Sequence, residues 1–352
     1  MKKVFHKRQP SFQLARQARN FARKGKNYNP DRYYVPRKVQ EGVVISVPRY
    51  LQLDGTKDHS AVLRLVEDIG KWSLKENIRL EFGRCIHVHV QALIVLYAHL
   101  ETILDRTDRK LIRISIRSLR GRVKTVVEAS GIIDLLLGRA PINRDVNSQQ
   151  LPIMSGNTTE VPPHDQIIDH IQQKVYGDLS PEVESALGDA LSEVFVNVKD
   201  HAYPEELLAD LSIEGRRWWA ICSVFDQQLF LAIYDFGVGI PRTIGDEHWA
   251  VSKLRKKLPS DRLKSLLSSD GNTIGIAMVA GKNRRNEEKH GQGSISMHEL
   301  VKQNPTGELW VYSGSGRYHW HHKQSQDEQE HSIKDYGTSI PGTLVQWNVK
   351  VE

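Results

Sequence analysis

Glu193 and Asn197 lie four residues apart in the stretch SEVFVNVKDHAY, Ser192–Tyr203, which puts both on one face of a helix. A carboxylate and a carboxamide in that register suit chemistry on a magnesium-bound nucleotide. The amide oxygen is a hard ligand for the ion, and the carboxylate can orient or deprotonate a nucleophile. Phe195, Val196 and Val198 offer an apolar surface to bury, and Pro204 is expected to stop the helix after Asp200, His201 and Ala202. Taken alone, the spacing more often marks an ordinary exposed polar helix face.

Three further stretches have chemistry to offer. Asp235, Gly237, Gly239 and Ile240 follow the apolar run Gln228–Tyr234, so an aspartate projects at a strand's end while two glycines let the backbone pass close to a ligand. His290-Gly291-Gln-Gly293 opens a helix and offers backbone N–H groups to phosphates. Gly342-Thr343 precedes the last strand and supplies a small polar contact beside a base.

The elements that must position these groups are readable from periodicity. Ile167, Ile168 and Ile171 mark one helix; Ser180-Pro181 opens the next, which runs through Leu187, Leu191 and Val194 to Asn197. Trp218–Phe225 and Gln228–Tyr234 read as a hairpin around Asp226-Gln227, and Leu309–Ser313, Gly316–His321 and Thr343–Val351 as strands. Arg242–Lys289 is long, polar and basic, with one or two short helices expected. Upstream, Gly42–Leu51, Asn77–Phe82 and Lys110–Ile116 read as strands alternating with helices over Ser60–Trp72, Val88–Leu104 and Leu119–Ala129, which suggests a small α/β domain. Residues 141–163, with Pro141, Pro152, Pro162 and Pro163, read as a linker. His319, His321 and His322 read as strand surface rather than a metal tract, since no cysteine or carboxylate sits at ligand spacing.

Composition sets the limits. A length of 352 residues with 39% apolar and 26% charged residues fits two domains with real cores. No apolar run approaches the roughly 20 residues of a membrane span. Two cysteines, Cys85 and Cys222, argue against a disulfide framework and point to a reducing, cytoplasmic setting. Residues 1–40 carry twelve Lys or Arg against Asp31 alone, a net +11; against +7 for the whole chain, the rest sums to −4. Aromatics interleave with that basic arm, so it either binds nucleic acid or is a solvated arm that docks on the body or a partner.

The four stretches, in this order, resemble the GHKL ATPases, the family of gyrase and the histidine kinases, over about 164–352. The form S-E-x-x-x-N-x-x-x-H-A-Y looks most like the anti-sigma-factor serine kinases. The resemblance implies an α/β sandwich of helices on a mixed sheet that binds ATP and Mg²⁺. By position, Glu193 would be the general base, Asn197 the metal ligand, and Asp235 the acceptor for the adenine amino group. Asp200 and His201 continue the first motif. Gly237, Gly239 and Ile240 would shape the pocket wall, Gly291 and Gly293 would meet the phosphates, and Thr343 would sit near the adenine. Arg242–Lys289 would be the lid, with Lys282, Arg284, Arg285 or His290 at the γ-phosphate. The second glycine motif reads G-Q-G-S, without the family's usual Leu and final Gly.

Residues 41–140 resemble a STAS domain, the fold of anti-sigma-factor antagonists. The family's phosphorylatable turn matches Gly83–Gln91, GRCIHVHVQ, which contains no Ser, Thr or Asp; His87 and His89 stand there instead. This implies a docking or regulatory module rather than a phospho-acceptor. Together the resemblances imply a bacterial regulatory ATPase with a protein partner, and a homodimer is possible. The alternatives are an anti-sigma-type serine/threonine kinase acting on a partner, or a non-catalytic ATP-dependent switch.

Overall fold

The computed structural model describes residues 42–106, 112–139, 150–173, 181–208, 212–225, 227–244, 249–280, 293–302, 304, 306–322 and 330–350. The basic arm and the basic cluster 281–292 lie outside them. Helices and strands are interspersed throughout, an α/β architecture.

In the amino-terminal half, β1 (Val43–Ser46), β3 (Ile78–Glu81) and β5 (Ile112–Ile114) form a parallel sheet in the order β1-β3-β5. The strand expected to run unbroken from Gly42 to Leu51 ends at Ser46; Pro48 cannot donate to a ladder. The chain resumes as β2 (Tyr50–Leu51), which pairs in parallel with β4 (His87–Val88). Helix α1 (Thr56–Ser73) buries Val62, Leu65, Val66 and Ile69. Helix α2 (Val90–Arg106) is buried on all sides from Val90 to Ala98, as a helix apolar around its whole circumference must be. It packs against α1 and against strands of the second sheet. Two short helices, α3 (Gly121–Ala129) and α4 (Ile132–Leu136), complete this half.

The second sheet has the order β6-β7-β8-β10-β9. Its strands are β6 (Met154–Asn157), β7 (Arg217–Phe225), β8 (Gln228–Asp235), β9 (Glu308–His321) and β10 (His331–Lys350). Two expectations need correction. The stretch 141–163 is not all linker, because β6 is an edge strand of this sheet and Gln150 bridges to Ser223. The sheet is also not mixed: every pairing among the described residues is antiparallel. β8 and β9 do run in the same direction, but β10 inserts between them, antiparallel to both.

One face of this sheet is covered by α5 (His164–Ile171), α6 (Pro181–Asn197) and α12 (Gly293–Lys302), around Ile171, Leu191, Val194, Val301 and Trp347. A turn of π-helix, Val198–Ala202, extends α6, and the short α7 (Glu205–Leu208) follows. The other face carries Trp219, Ile221, Tyr234, Tyr312 and Leu344, which join α1 and α2 in a single core. The two halves are thus packed through one apolar layer. At its rim, Glu101 of α2 accepts from Arg217 and from Trp219 Nε1, each at 2.7 Å. His59 of α1 stacks on Tyr336, centroids 4.0 Å apart.

Between β8 and β9 the chain forms α8 (Ile240–Thr243), α9 (Trp249–Arg255), α10 (Ser260–Leu267) and α11 (Asp270–Ala280). This is more helix than the sequence suggested, and α11 packs on β9 and β10 rather than standing off as a lid. Asp270 accepts from Ser315 N and Oγ, and Asp335 accepts from Gly271 N, which fixes α11 to the sheet.

Candidate functional site

α6 begins at Pro181, with Glu182 and Glu184 in its first turn, where carboxylates suit the helix dipole. Leu187, Leu191, Val194 and Phe195 face the sheet. Val196, expected to be buried, is 45% exposed, because it lies on the flank turned away from the sheet. Glu193 and Asn197 are half-buried on a shared face, and Asn197 Nδ2 donates to Glu193 Oε1 at 3.2 Å. That bond uses the amide nitrogen and leaves the amide oxygen as the free end of the side chain. Burial raises the Glu193 pKa, against the opposing pull of Asn197 and of the nearby His201. Asp200 and His201 are exposed on the π-helical turn.

That turn delivers Ala202 to the end of β8. Val238 N donates to Ala202 O at 2.8 Å, and a Cβ on Gly237 would lie 2.3 Å from the same oxygen. Only glycine allows this approach. Tyr203 completes the joint: its hydroxyl donates to Arg217 O at 2.5 Å and accepts from Phe236 N at 3.0 Å.

Asp235 is the last residue of β8 and is 4% exposed. It accepts from Gly237 N at 2.7 Å and from the backbone N–H of Thr343. Burial pushes its pKa up to about 7, although both hydrogen bonds oppose the shift. Thr343 pairs with Asp235 on one side and with Ser313 on the other. The register of β10 against β9 slips on either side of Ile340, and this bulge sets Gly342 at φ 72 beside Asp235. A Cβ on Gly342 would lie 1.9 Å from Asp235 O.

Ser313 ties the remaining pieces together and was not singled out in the sequence. Its Oγ donates to Gly342 O at 2.8 Å, accepts from Ile240 N at 2.9 Å and lies 3.2 Å from Thr343 Oγ1. Gly239, at φ 83, must be glycine here, since a Cβ would lie 2.7 Å from Ser313 Oγ. Ser313 directly after the apolar run Leu309–Tyr312 was the available signal.

Ala202, Asp235, Gly237, Gly239, Ile240 and Thr343 therefore form one junction, with Glu193 and Asn197 on the helix leading into it. Gly293 begins α12, which packs against α6. Gly291, Lys282, Arg284, Arg285 and His290 lie outside the described residues. No protein-family model matches the chain, and no curated protein matches it.

A purine nucleotide with a magnesium ion would call on Asp235 and Asn197 here. Asp235 is a buried acceptor at the end of a strand, already holding the backbone N–H groups of Gly237 and Thr343, and the glycines beside it let protein backbone pack closely against it. Asn197 presents a hard oxygen, and Mg²⁺ commonly takes one or two protein oxygens while keeping waters and phosphate oxygens. Among the described residues no group of three or more His, Cys, Asp or Glu could hold a metal by itself, so an ion here would need the phosphates as ligands. No described helix is long and apolar enough to cross a membrane.

Proposed function

We propose that the chain is a Mg²⁺-dependent ATP-binding protein of the GHKL type that hydrolyses ATP, with a STAS-like amino-terminal half as its docking or regulatory module. The observation that carries this reading is the junction itself. Three signatures from separate parts of the sequence meet in contacts that only glycine allows: Gly237 on Ala202, Gly239 on Ser313 and Gly342 on Asp235. A common nucleotide cleft requires these signatures to meet in one place, and separate surface turns would not bring them together.

In this reading Asp235 accepts a hydrogen bond from the adenine amino group, and Thr343 lines the same wall. Asn197 Oδ1 would hold the ion, which supplies charge neutralisation at the phosphates. Glu193 takes the proton of the attacking water. Burial suits it to the task, because a raised carboxylate pKa moves its basicity toward neutral pH. The amide of Asn197 keeps the carboxylate oriented.

One contact favours a second reading, in which ATP sets the conformation of the amino-terminal half. His99 of α2 packs edge-on against Phe236, centroids 4.7 Å apart, and Phe236 lies between Asp235 and Gly237. A change at the glycine turn would be felt by α2 directly. Phosphate release and ATP binding measured on the same sample separate the two. Turnover abolished by Glu193→Ala with binding retained supports hydrolysis. Tight binding without turnover in the unaltered chain supports the switch, and absence of ATP binding refutes both.

A further inference from the structure

The parallel sheet of the amino-terminal half has one face buried against α1 and α4 and one face exposed. Such sheets are ordinarily covered on both faces. Val44, Arg79 and Arg113 stand in register across β1, β3 and β5 on the exposed face, with Val44 45% exposed. Between them is a cavity of ≈ 160 Å³, lined by Gly42, Val44, Asn77, Arg79 and Arg113 among others.

Two arginines directly opposite one another on adjacent strands repel, which disfavours the pair unless an anion lies between them. No ion pair involving either guanidinium is found among the described residues. Glu81, two residues along β3, is the one carboxylate in these three strands. Positive charge continues past the strands' carboxyl ends. Arg84 follows β3, and Arg117 and Arg120 follow β5; all three are exposed. Ser118 Oγ accepts from Phe82 N at 2.8 Å and holds the two loops side by side. The sequence from Arg109 to Val127 has seven Lys or Arg and no acidic residue.

We propose that this face binds the phosphate backbone of nucleic acid, with Arg79 and Arg113 converging on phosphate at the cavity. The guanidinium fork matches phosphate geometry. The +11 arm of residues 1–40 enters the fold at Gly42, on the rim of the cavity. Arm and face have the same sign, so the arm is repelled as an occupant, and a polyanion attracts both. Duplex DNA offers about one charge per 1.7 Å of axis, denser than an acidic peptide. The recognition is independent of sequence, since arginine–phosphate contacts carry no base information.

The test is fluorescence anisotropy of a labelled DNA duplex with the full chain, between about 50 and 200 mM salt. The unaltered protein is expected to bind at low salt and weaken steeply as salt rises. Arg79→Gln with Arg113→Gln should weaken binding by about tenfold or more and reduce the log–log salt slope by about two. Both side chains are exposed and their removal relieves the repulsion between them, so the thermal midpoint should not fall. Three results overturn the proposal: no binding by the unaltered chain at low salt, the same affinity and slope in the double variant, or displacement of the duplex by polyglutamate charge for charge.

Discussion

Asn197 Nδ2 donates to Glu193 Oε1 across 3.2 Å, one helical turn away. The bond orients both side chains at once: the carboxylate is held, and the amide oxygen is the end of the side chain that this bond does not use. Changing either partner should therefore have a different signature. Glu193→Gln keeps a hydrogen-bonding partner for Asn197 but removes the base, so ATP binding is retained while phosphate release falls by about 10²–10⁴-fold. Asn197→Ala removes the hard ligand, so the magnesium dependence of ATP binding is lost. Binding titrations with and without Mg²⁺, paired with a phosphate-release assay, distinguish the two.

Asp235 gives a pH signature. In the folded chain its proton is held to about pH 7, against an ordinary value of 3.8. Between those values the folded state keeps a proton that the unfolded state has lost, so stability falls as pH rises through that window. The contribution is full below the lower value and gone above the upper one. Asparagine does not titrate. The difference in thermal midpoint between Asp235→Asn and the parent should therefore rise from pH 5 to pH 7.5, and a flat difference would contradict the burial argument.

The glycine contacts predict a ranked series. Gly342→Ala combines a left-handed backbone with a Cβ 1.9 Å from Asp235 O, and Gly237→Ala puts a Cβ 2.3 Å from Ala202 O. Both obstacles are backbone, so both variants should lose about 1–3 kcal/mol or more, with Gly342→Ala the worse. Gly188, in the middle of α6, has nothing within 4 Å of its Cβ position. Gly188→Ala should be neutral or stabilising by up to about 1 kcal/mol. Thermal melts of the three variants give the order.

The sequence made some of this visible and hid the rest for physical reasons. The helix through Leu187, Leu191 and Val194 and the hairpin at Gln227 were legible, because each shows a clear period and a turn or start signal. β6 was not. Its four residues, MSGN, alternate in nothing, and Gly156 is there because Trp218 lies 2.5 Å from its would-be Cβ. Ser313 was hidden because a hydroxyl's role depends on which strands flank it, and that is set by β10 inserting between β8 and β9. The all-round apolar surface of α2 announced burial but not its partner, which turned out to be the second sheet.

Because that packing makes one core, the two halves should unfold together. Glu101 ties the seam together, accepting from Arg217 and Trp219. Glu101→Ala leaves Trp219 Nε1 without its acceptor and Arg217 with Asp105 as its one carboxylate beside the Ser155 hydroxyl, at a cost of about 2–4 kcal/mol. Denaturant unfolding followed by tryptophan fluorescence and by circular dichroism should show coincident transitions, both shifted by the substitution. Two separate transitions, with only one shifted, would contradict a common core.

The most direct measurement is a crystal structure of the chain with Mg²⁺ and a non-hydrolysable ATP analogue. A nucleotide cleft at this junction predicts the adenine amino group within hydrogen-bond distance of Asp235, and the ion on Asn197 Oδ1 with Glu193 facing the terminal phosphate. Analogue bound elsewhere, or a junction that excludes it at saturating concentration, would contradict the assignment.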